Sequence, residues 1–260
     1  MARATILWMS LLAGGLLVGC VRPVPPPGRV MPGVVTRQLV DERISAVMVA
    51  ARESIQDWAD QRFPKMYSNE DVDGGSAAPI AADGYFLTAD HVLARVGNRR
   101  NAFVIYGLGG SLMTAKARVV WRSSSADLAL LHVPLPTPHF YYWTPPQRWL
   151  PEGTWVIHGG IATGRKSPPG KLATTLGPER WLTGARRFNL DFQLGPGDSG
   201  GPVVDAEGRL IGINSAVDFL VPIETPIFAE SEGSRPNIRK LGDLIQQDRA
   251  RNNRRPTRVE

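Results

Sequence analysis

The 260-residue sequence predicts an all-β protein: two antiparallel barrels with a helix added at each end. Three observations carry this. From Gly74 onward, apolar runs of about four to eight residues alternate with Gly, Pro and Asp clusters, the pattern of short strands and tight turns. A stretch rich in proline and aromatics, 136–152, with Tyr141, Tyr142, Trp143 and Trp149, divides that run and reads as a linker crossing between two halves. The chain has a single cysteine, Cys20, so no internal disulfide is possible and each half must hold by its own core.

Residues 1–19 read as a sorting signal rather than as fold. Arg3 supplies a positive start, and Ile6–Val18 is apolar but too short for a membrane span with proper flanks. The segment ends Leu17-Val18-Gly19-Cys20, which resembles the lipobox of bacterial lipoproteins. That resemblance implies cleavage before Cys20, acylation of its thiol and a lipid bilayer as partner. Several acyl chains anchor firmly, since each buried methylene contributes about 0.8 kcal/mol. Arg22 stands where an aspartate would signal retention, so the expected location is the periplasmic face of the outer membrane, in a bacterial cell envelope. Residues 20–35 follow as a tether rich in proline (Pro23, Pro25, Pro26, Pro27, Pro32).

Residues 36–64 carry apolar side chains at helical spacing (Val40, Ile44, Val47, Met48, Ala51, Ile55, Trp58) and end at Pro64, which predicts an amphipathic helix. The first barrel is expected over 73–135. Its strands are Ser76–Ala81 and Tyr85–Ala89, joined by the Asp83-Gly84 turn, then Ala102–Tyr106, Leu112–Trp121 and Leu128–Val133. The second barrel is expected over 153–230, with strands at Thr154–Ile157, Lys171–Leu176, Arg180–Thr183, Phe188–Phe192, Pro202–Val204 and Leu210–Val217. Ile238, Leu241, Leu244 and Ile245 mark a C-terminal helix over 236–248, and 249–260 is an arginine-rich tail.

The net charge of +6 lies partly in that tail. For a secreted chain it argues for attraction to anionic lipid or envelope polymer and against nucleic acid as a partner. No metal-ligand spacing, phosphate loop or repeat is present, so no metal and no cofactor is expected. The sequence does not indicate an oligomeric state.

The chemistry centres on Gly197-Asp198-Ser199-Gly200-Gly201-Pro202. A serine hydroxyl is a weak nucleophile until a neighbouring base takes its proton. Attack on a carbonyl puts negative charge on oxygen, so donors must be aimed at that oxygen. Glycines around Ser199 permit a tight turn that directs amides inward, with Gly197 and Ser199 as the natural pair. Of the four histidines, His132 and His158 sit at strand ends and His139 lies among prolines. His91 differs: it follows the apolar strand Tyr85–Leu87 in Thr88-Ala89-Asp90-His91. Asp127 opens the apolar run Leu128–Leu131 and can stay charged while partly buried if it accepts hydrogen bonds. Its rivals as the acid are Asp90 and Asp191.

These three segments, in the order His91, Asp127, Ser199, resemble those of trypsin-like serine proteases of the chymotrypsin fold, over about residues 73–230. Gly212-Ile213-Asn214-Ser215-Ala216 and the lack of cysteines in the barrels are closer to bacterial HtrA/Deg-type domains than to digestive trypsins. The resemblance implies two six-stranded barrels and a membrane-tethered endopeptidase with protein or peptide substrates. It makes Ser199 the nucleophile, His91 the base and Asp127 the group that orients the imidazole. Gly197 and Ser199 would bind the oxyanion, and Gln193, Asn214 and Ser215 would contact substrate, with Gln193 at the floor of the specificity pocket. A glutamine there argues against a preference for Arg or Lys. Asp198 takes the place of the aspartate that pairs with a freed N-terminus in trypsin zymogens, which an acylated Cys20 could not supply. Its partner is expected to be an internal cation, solvent, or an end freed by further cleavage. HtrA-type enzymes usually carry PDZ domains, for which the chain leaves no room. Two alternatives remain open at this level: a tethered, non-catalytic binding module, and an esterase using the same triad.

Overall fold

The computed structural model describes residues 29–51, 73–97, 99–108, 110–163, 168–180, 184–220 and 227–253. The predicted signal 1–19, Cys20, the tether up to residue 28 and the end of the basic tail lie outside the described residues. Six strands, β1 (Ser45–Ala50), β2 (Asp73–Pro79), β3 (Tyr85–Thr88), β4 (Asn101–Leu108), β5 (Ser111–Ser123) and β6 (Leu128–His132), close into an antiparallel barrel in the order β1-β2-β3-β6-β5-β4. Six more, β7 (Trp155–His158), β8 (Gly170–Lys171), β9 (Arg186–Leu190), β10 (Pro202–Val204), β11 (Leu210–Leu220) and β12 (Ile227–Arg235), form a second sheet ordered β8-β7-β10-β11-β12-β9. Its two ends meet: Ala173 N donates to Asn189 O at 2.7 Å and Asp191 N to Lys171 O at 3.1 Å, flanking a bridge between Leu172 and Leu190. The second sheet is therefore a half-closed counterpart of the first.

Each barrel buries its own core. Val47, Val49, Phe86, Leu87, Val104, Leu130 and Leu131 fill the first, and Val156, Leu172, Phe188, Leu190, Val203 and Ile211 the second. The aromatic stretch joins them: Tyr141 N donates to Pro79 O in the first barrel, while Thr144 N and Leu210 N exchange bonds with Leu210 O and Tyr142 O in the second. Arg235 is buried beneath this crossing and donates to the Thr144 hydroxyl and carbonyl and to Ile211 O.

Two helices pack outside. In α1 (Val34–Glu42), Val40 seats against Gly159 and Thr36 Oγ1 donates to Ala206 O at 2.7 Å. In α2 (Ile238–Asn253), Leu241 and Ile245 enter the first core. Asp248 at its far end accepts the Tyr85 hydroxyl at 2.9 Å and both Arg118 nitrogens.

Four expectations are corrected. The helix expected over 36–64 is helical only within Val34–Glu42; Ser45–Ala50 is the first barrel strand, and 52–64 lie outside the described residues. All six β1 residues are buried, because Val47 and Val49 face the barrel interior while Ala46 and Met48 pack outward against Ile105 and Ile161. A strand covered on both faces loses its period-two pattern and reads like a helix. The second barrel extends past residue 230, to β12, whose described end is small and polar: Gly233 lies under Phe188, and the Ser234 hydroxyl meets the β5–β6 turn. The strand expected over Lys171–Leu176 is only Gly170–Lys171, and Arg180 lies outside any strand. The C-terminal helix continues five residues beyond 248, to Asn253, into the segment read as tail.

Candidate active site

His91 lies in the 3-10 turn Asp90–Leu93 immediately after β3, anchored by buried Val92 and Leu93. Asp127 closes the turn from β5 to β6 in the left-handed region, φ 49°, with its N–H donating to Ser124 O at 3.2 Å. The two meet. His91 Nδ1 lies 2.9 Å from Asp127 Oδ2 and 3.1 Å from Oδ1, and the His91 amide donates to Oδ1 at 3.0 Å. The Ser215 hydroxyl donates to Oδ2 at 2.5 Å. Burial by itself would raise the Asp127 carboxyl, but these bonds from His91 and Ser215 outweigh it and hold the group at about 2. A carboxylate ionised at neutral pH only accepts, so in the neutral imidazole Nδ1 carries the proton and Nε2 keeps its lone pair.

Ser199 is held by contacts between the barrels. Gly197 (φ 105°) and Gly200 (φ 84°) make the turns of its loop. The loop is stitched to β2: Ser76 N donates to Ser199 O and Ser76 Oγ to Gly197 O, both at 2.7 Å. Behind it, Gly200 N donates to Asn214 O and Asn214 N to Gly201 O, both at 2.8 Å. Ser199 Oγ donates to the Ser215 carbonyl at 3.5 Å. Ser215 thus touches the serine through its carbonyl and the acid through its hydroxyl. Asp198 O accepts from Gly201 N at 2.9 Å inside the loop. In a trans peptide the N–H points opposite to the carbonyl, so the Ser199 amide faces out of the loop.

Asp198 is fully buried. Its Oδ1 accepts from Ala162 N at 3.2 Å, Thr163 N at 3.1 Å and the Thr163 hydroxyl at 3.2 Å, and its Oδ2 from Gly195 N at 2.9 Å. Among the described residues it forms no ion pair with Lys or Arg; backbone amides and one hydroxyl satisfy it. His158, also buried, stacks on Phe192 with centroids 4.5 Å apart and planes at 8°. Burial lowers its imidazole to about 4, partly opposed by the Asp198 charge.

The sequence matches a known family. Residues 75–213 match the trypsin-like peptidase domain. The chain belongs to the trypsin-like peptidase family. It is 27% identical over 265 residues to the "Probable periplasmic serine endoprotease DegP-like" of Ectopseudomonas mendocina (strain ymp), covering 86% of this chain and 51% of that one. It is 30% identical over 170 residues to the mitochondrial serine protease HTRA2 of Bos taurus, covering 58% of this chain and 34% of that one. The trypsin-like chain thus spans about half, or less, of the length of these curated relatives. Among solved structures, the HtrA-type protease AlgW with tripeptide aligns at TM-score 0.58 and 20% identity, over 84% of this chain and 65% of that one. Deg5 aligns at 0.54 and 18%, over 70% and 83%. These show the shared fold.

Within this trypsin-like frame His91 contacts Asp127, and Asp127 and Ser199 each contact Ser215, while the three residues expected to contact substrate do not share one role. Asn214 is fully buried; its side chain donates to Gly159 O at 3.4 Å and Asp198 O at 3.3 Å, so it braces the serine loop instead of facing a ligand. The Ser215 hydroxyl is committed to Asp127. Gln193 is exposed between buried Phe192 and Leu194. Rival acid Asp90 pairs with Arg122 and Ser124, and Asp191 accepts from Lys171 N. Sequence reasoning missed Ser76 and Thr163, since a serine and a threonine in unremarkable local patterns gain their roles only from what the fold sets opposite them.

Proposed function

We propose that this chain is a serine endopeptidase of the bacterial cell envelope, acting through Ser199, His91 and Asp127. The observation that carries the reading is the Asp127 carboxylate, held ionised by His91 and Ser215 while Ser215 also contacts Ser199. His91 Nε2 takes the Ser199 proton as Oγ attacks the scissile carbonyl. The resulting imidazolium is stabilised by Asp127, and the amides of Gly197 and Ser199 receive the oxyanion, where one donor is worth about 10²–10³ in rate. Collapse expels the amine, which takes the proton back from His91 and leaves an acyl ester on Ser199. Water, deprotonated by His91, hydrolyses that ester and restores the enzyme. The periplasmic naming of the DegP-like relative supports an envelope location, and the AlgW structures with bound peptide support peptide substrates. Tethering through acylated Cys20 rests on the lipobox pattern.

A fluorophosphonate probe tests the chemistry. Wild type is expected to label and Ser199→Ala not to; absence of labelling in pure folded protein would leave a binding module. Cleavage of a peptide library at rates far above simple ester turnover is expected, and the reverse would make it an esterase. Labelled palmitate is expected in wild type and not in Cys20→Ser; equal incorporation removes the anchor.

A further inference from the structure

We infer that Asp90, Arg122 and Ser124 form a brace that positions the His91–Asp127 pair, with Arg122 as its central positioning residue. The inference deepens the hydrolytic reading and rests on it. His91 and Asp127 sit on separate turns, and something besides their mutual bond must set the distance between those turns. Asp90 directly precedes His91 and is 4% exposed. Its Oδ1 accepts Arg122 Nε at 2.5 Å, its Oδ2 accepts the Ser124 hydroxyl at 2.9 Å, and its carbonyl accepts Arg122 Nη2 at 3.1 Å. Ser124 O in turn accepts the Asp127 amide at 3.2 Å. The links therefore run from His91 through Asp90 to Arg122 and Ser124, and on to Asp127, where the imidazole closes the ring.

Two features make this brace matter. Asp127 holds a φ of 49°, a left-handed conformation uncommon for non-glycine residues but open to aspartate, and the hydrogen bonds of its turn select it. On its outer side the turn borders a cavity of about 490 Å³, lined by Trp121, Ser123, Ser125 and Ala126 and by Leu241 and Leu244 of α2. Successive residues at the end of β5 thus alternate between the cavity (Trp121, Ser123) and the brace (Arg122, Ser124). A bulge between Val119 and Trp121 sets this alternation. Among the described residues, the Ser234 hydroxyl ties this side, donating to Ala126 O at 2.7 Å. The β3–β6 and β5–β6 ladders fix the strands that flank the turn and the polar links fix the turn itself, so the rate is sensitive to them: a misplacement of about 1 Å can slow an enzyme about 10²-fold.

The experiment uses the full chain with Arg122→Gln, Arg122→Lys and Ser124→Ala, each alone and with Asp127→Asn. Readouts are kcat and KM on a chromogenic peptide, the fluorophosphonate labelling rate, and the low-field proton resonance of His91 Nδ1–H. Arg122→Gln is expected to lower kcat about 30–100-fold with KM within about twofold. Arg122→Lys should recover most of it, and Ser124→Ala should lose about fivefold. With Asp127→Asn, Arg122→Gln should change the labelling rate by less than about threefold, because the pair it positions is already broken. Equal losses in both backgrounds, or a wild-type kcat in Arg122→Gln, would overturn the brace. The resonance separates this from the hydrolytic reading. It should persist in Ser199→Ala and broaden or vanish when Arg122→Gln is added. Should wild type neither label nor cleave, hydrolysis fails, and an unchanged resonance in Arg122→Gln overturns the brace independently.

Discussion

Replacing Gly200 by alanine tests the stitch between barrels that holds the Ser199 loop on β2. Gly200 has φ 84°, where an L side chain is disfavoured by about 1–2 kcal/mol. A Cβ there would stand 2.2 Å from Ser76 O, 2.3 Å from Thr88 Oγ1 and 3.0 Å from Ala89 N. Two of these three atoms are backbone, so relief requires the serine loop and β2 to separate by about 1 Å, since carbon and oxygen rest more than about 3 Å apart. That movement opens the bonds Ser76 N to Ser199 O and Ser76 Oγ to Gly197 O, both 2.7 Å, and strains Gly200 N to Asn214 O at 2.8 Å. Two lost bonds at about 1–1.5 kcal/mol each, added to the backbone term, give about 3–5 kcal/mol. Stability of a domain is about 5–15 kcal/mol, so the variant should be folded only marginally. Urea denaturation measures the change, and fluorophosphonate labelling of the folded fraction reads whether the serine has moved away from its base. Labelling is expected to fall at least about 100-fold even where the fold survives. A variant within about 1 kcal/mol of wild type that labels at the wild-type rate would refute the inter-barrel stitch as what positions Ser199.

Three further outcomes follow from the same geometry. Ser215→Ala removes the hydroxyl donor to Asp127 and should lower kcat about tenfold while leaving KM nearly unchanged, by steady-state kinetics on a peptide. Asp198→Asn keeps an acceptor for Ala162 and Thr163 but turns an amide NH₂ toward the Gly195 N–H; labelling should slow at least about tenfold, and an unchanged rate would mean the carboxylate does not set the loop. His158 is buried with its pKa lowered to about 4, below its unfolded value near 6.5. The unfolded chain therefore binds a proton first, and wild-type stability should decline as pH falls from about 6.5 to about 4. His158→Phe keeps the stack on Phe192 and removes that slope, a gain over wild type of about 2 kcal/mol at pH 5 relative to pH 7, read by denaturation at the two pH values.

Much of the architecture can be read along the chain. Strands such as Tyr85–Thr88 and Leu128–His132 are short apolar runs bounded by turn residues, and both lie in the first barrel. β1 and β12 could not be read that way. β1 is apolar on both sides because each side meets a different surface, and β12 ends in small and polar residues (Ser231, Glu232, Gly233, Ser234), so neither shows alternation. For the candidate site, His91, Asp127 and Ser199 each stand in a local pattern whose chemistry is legible from the neighbouring residues. Asn214 and Ser215 stand in a segment whose resemblance suggested substrate contact rather than the bracing the fold gives them, and Ser76 and Arg122 stand in no such pattern.

The sequence by itself determined the functional groups and their order, since a glycine-flanked serine, a histidine after a strand and an aspartate before one depend only on neighbours in the chain. Tertiary structure alone decided which hydroxyl holds Asp127, which amides satisfy buried Asp198, and that Asp90 faces Arg122. Those pairings join residues tens to more than a hundred positions apart: the packing of one barrel on the other brings Ser76 to Gly197 and Ser215 to Asp127, while folding within a barrel brings Arg122 to Asp90 and Thr163 to Asp198.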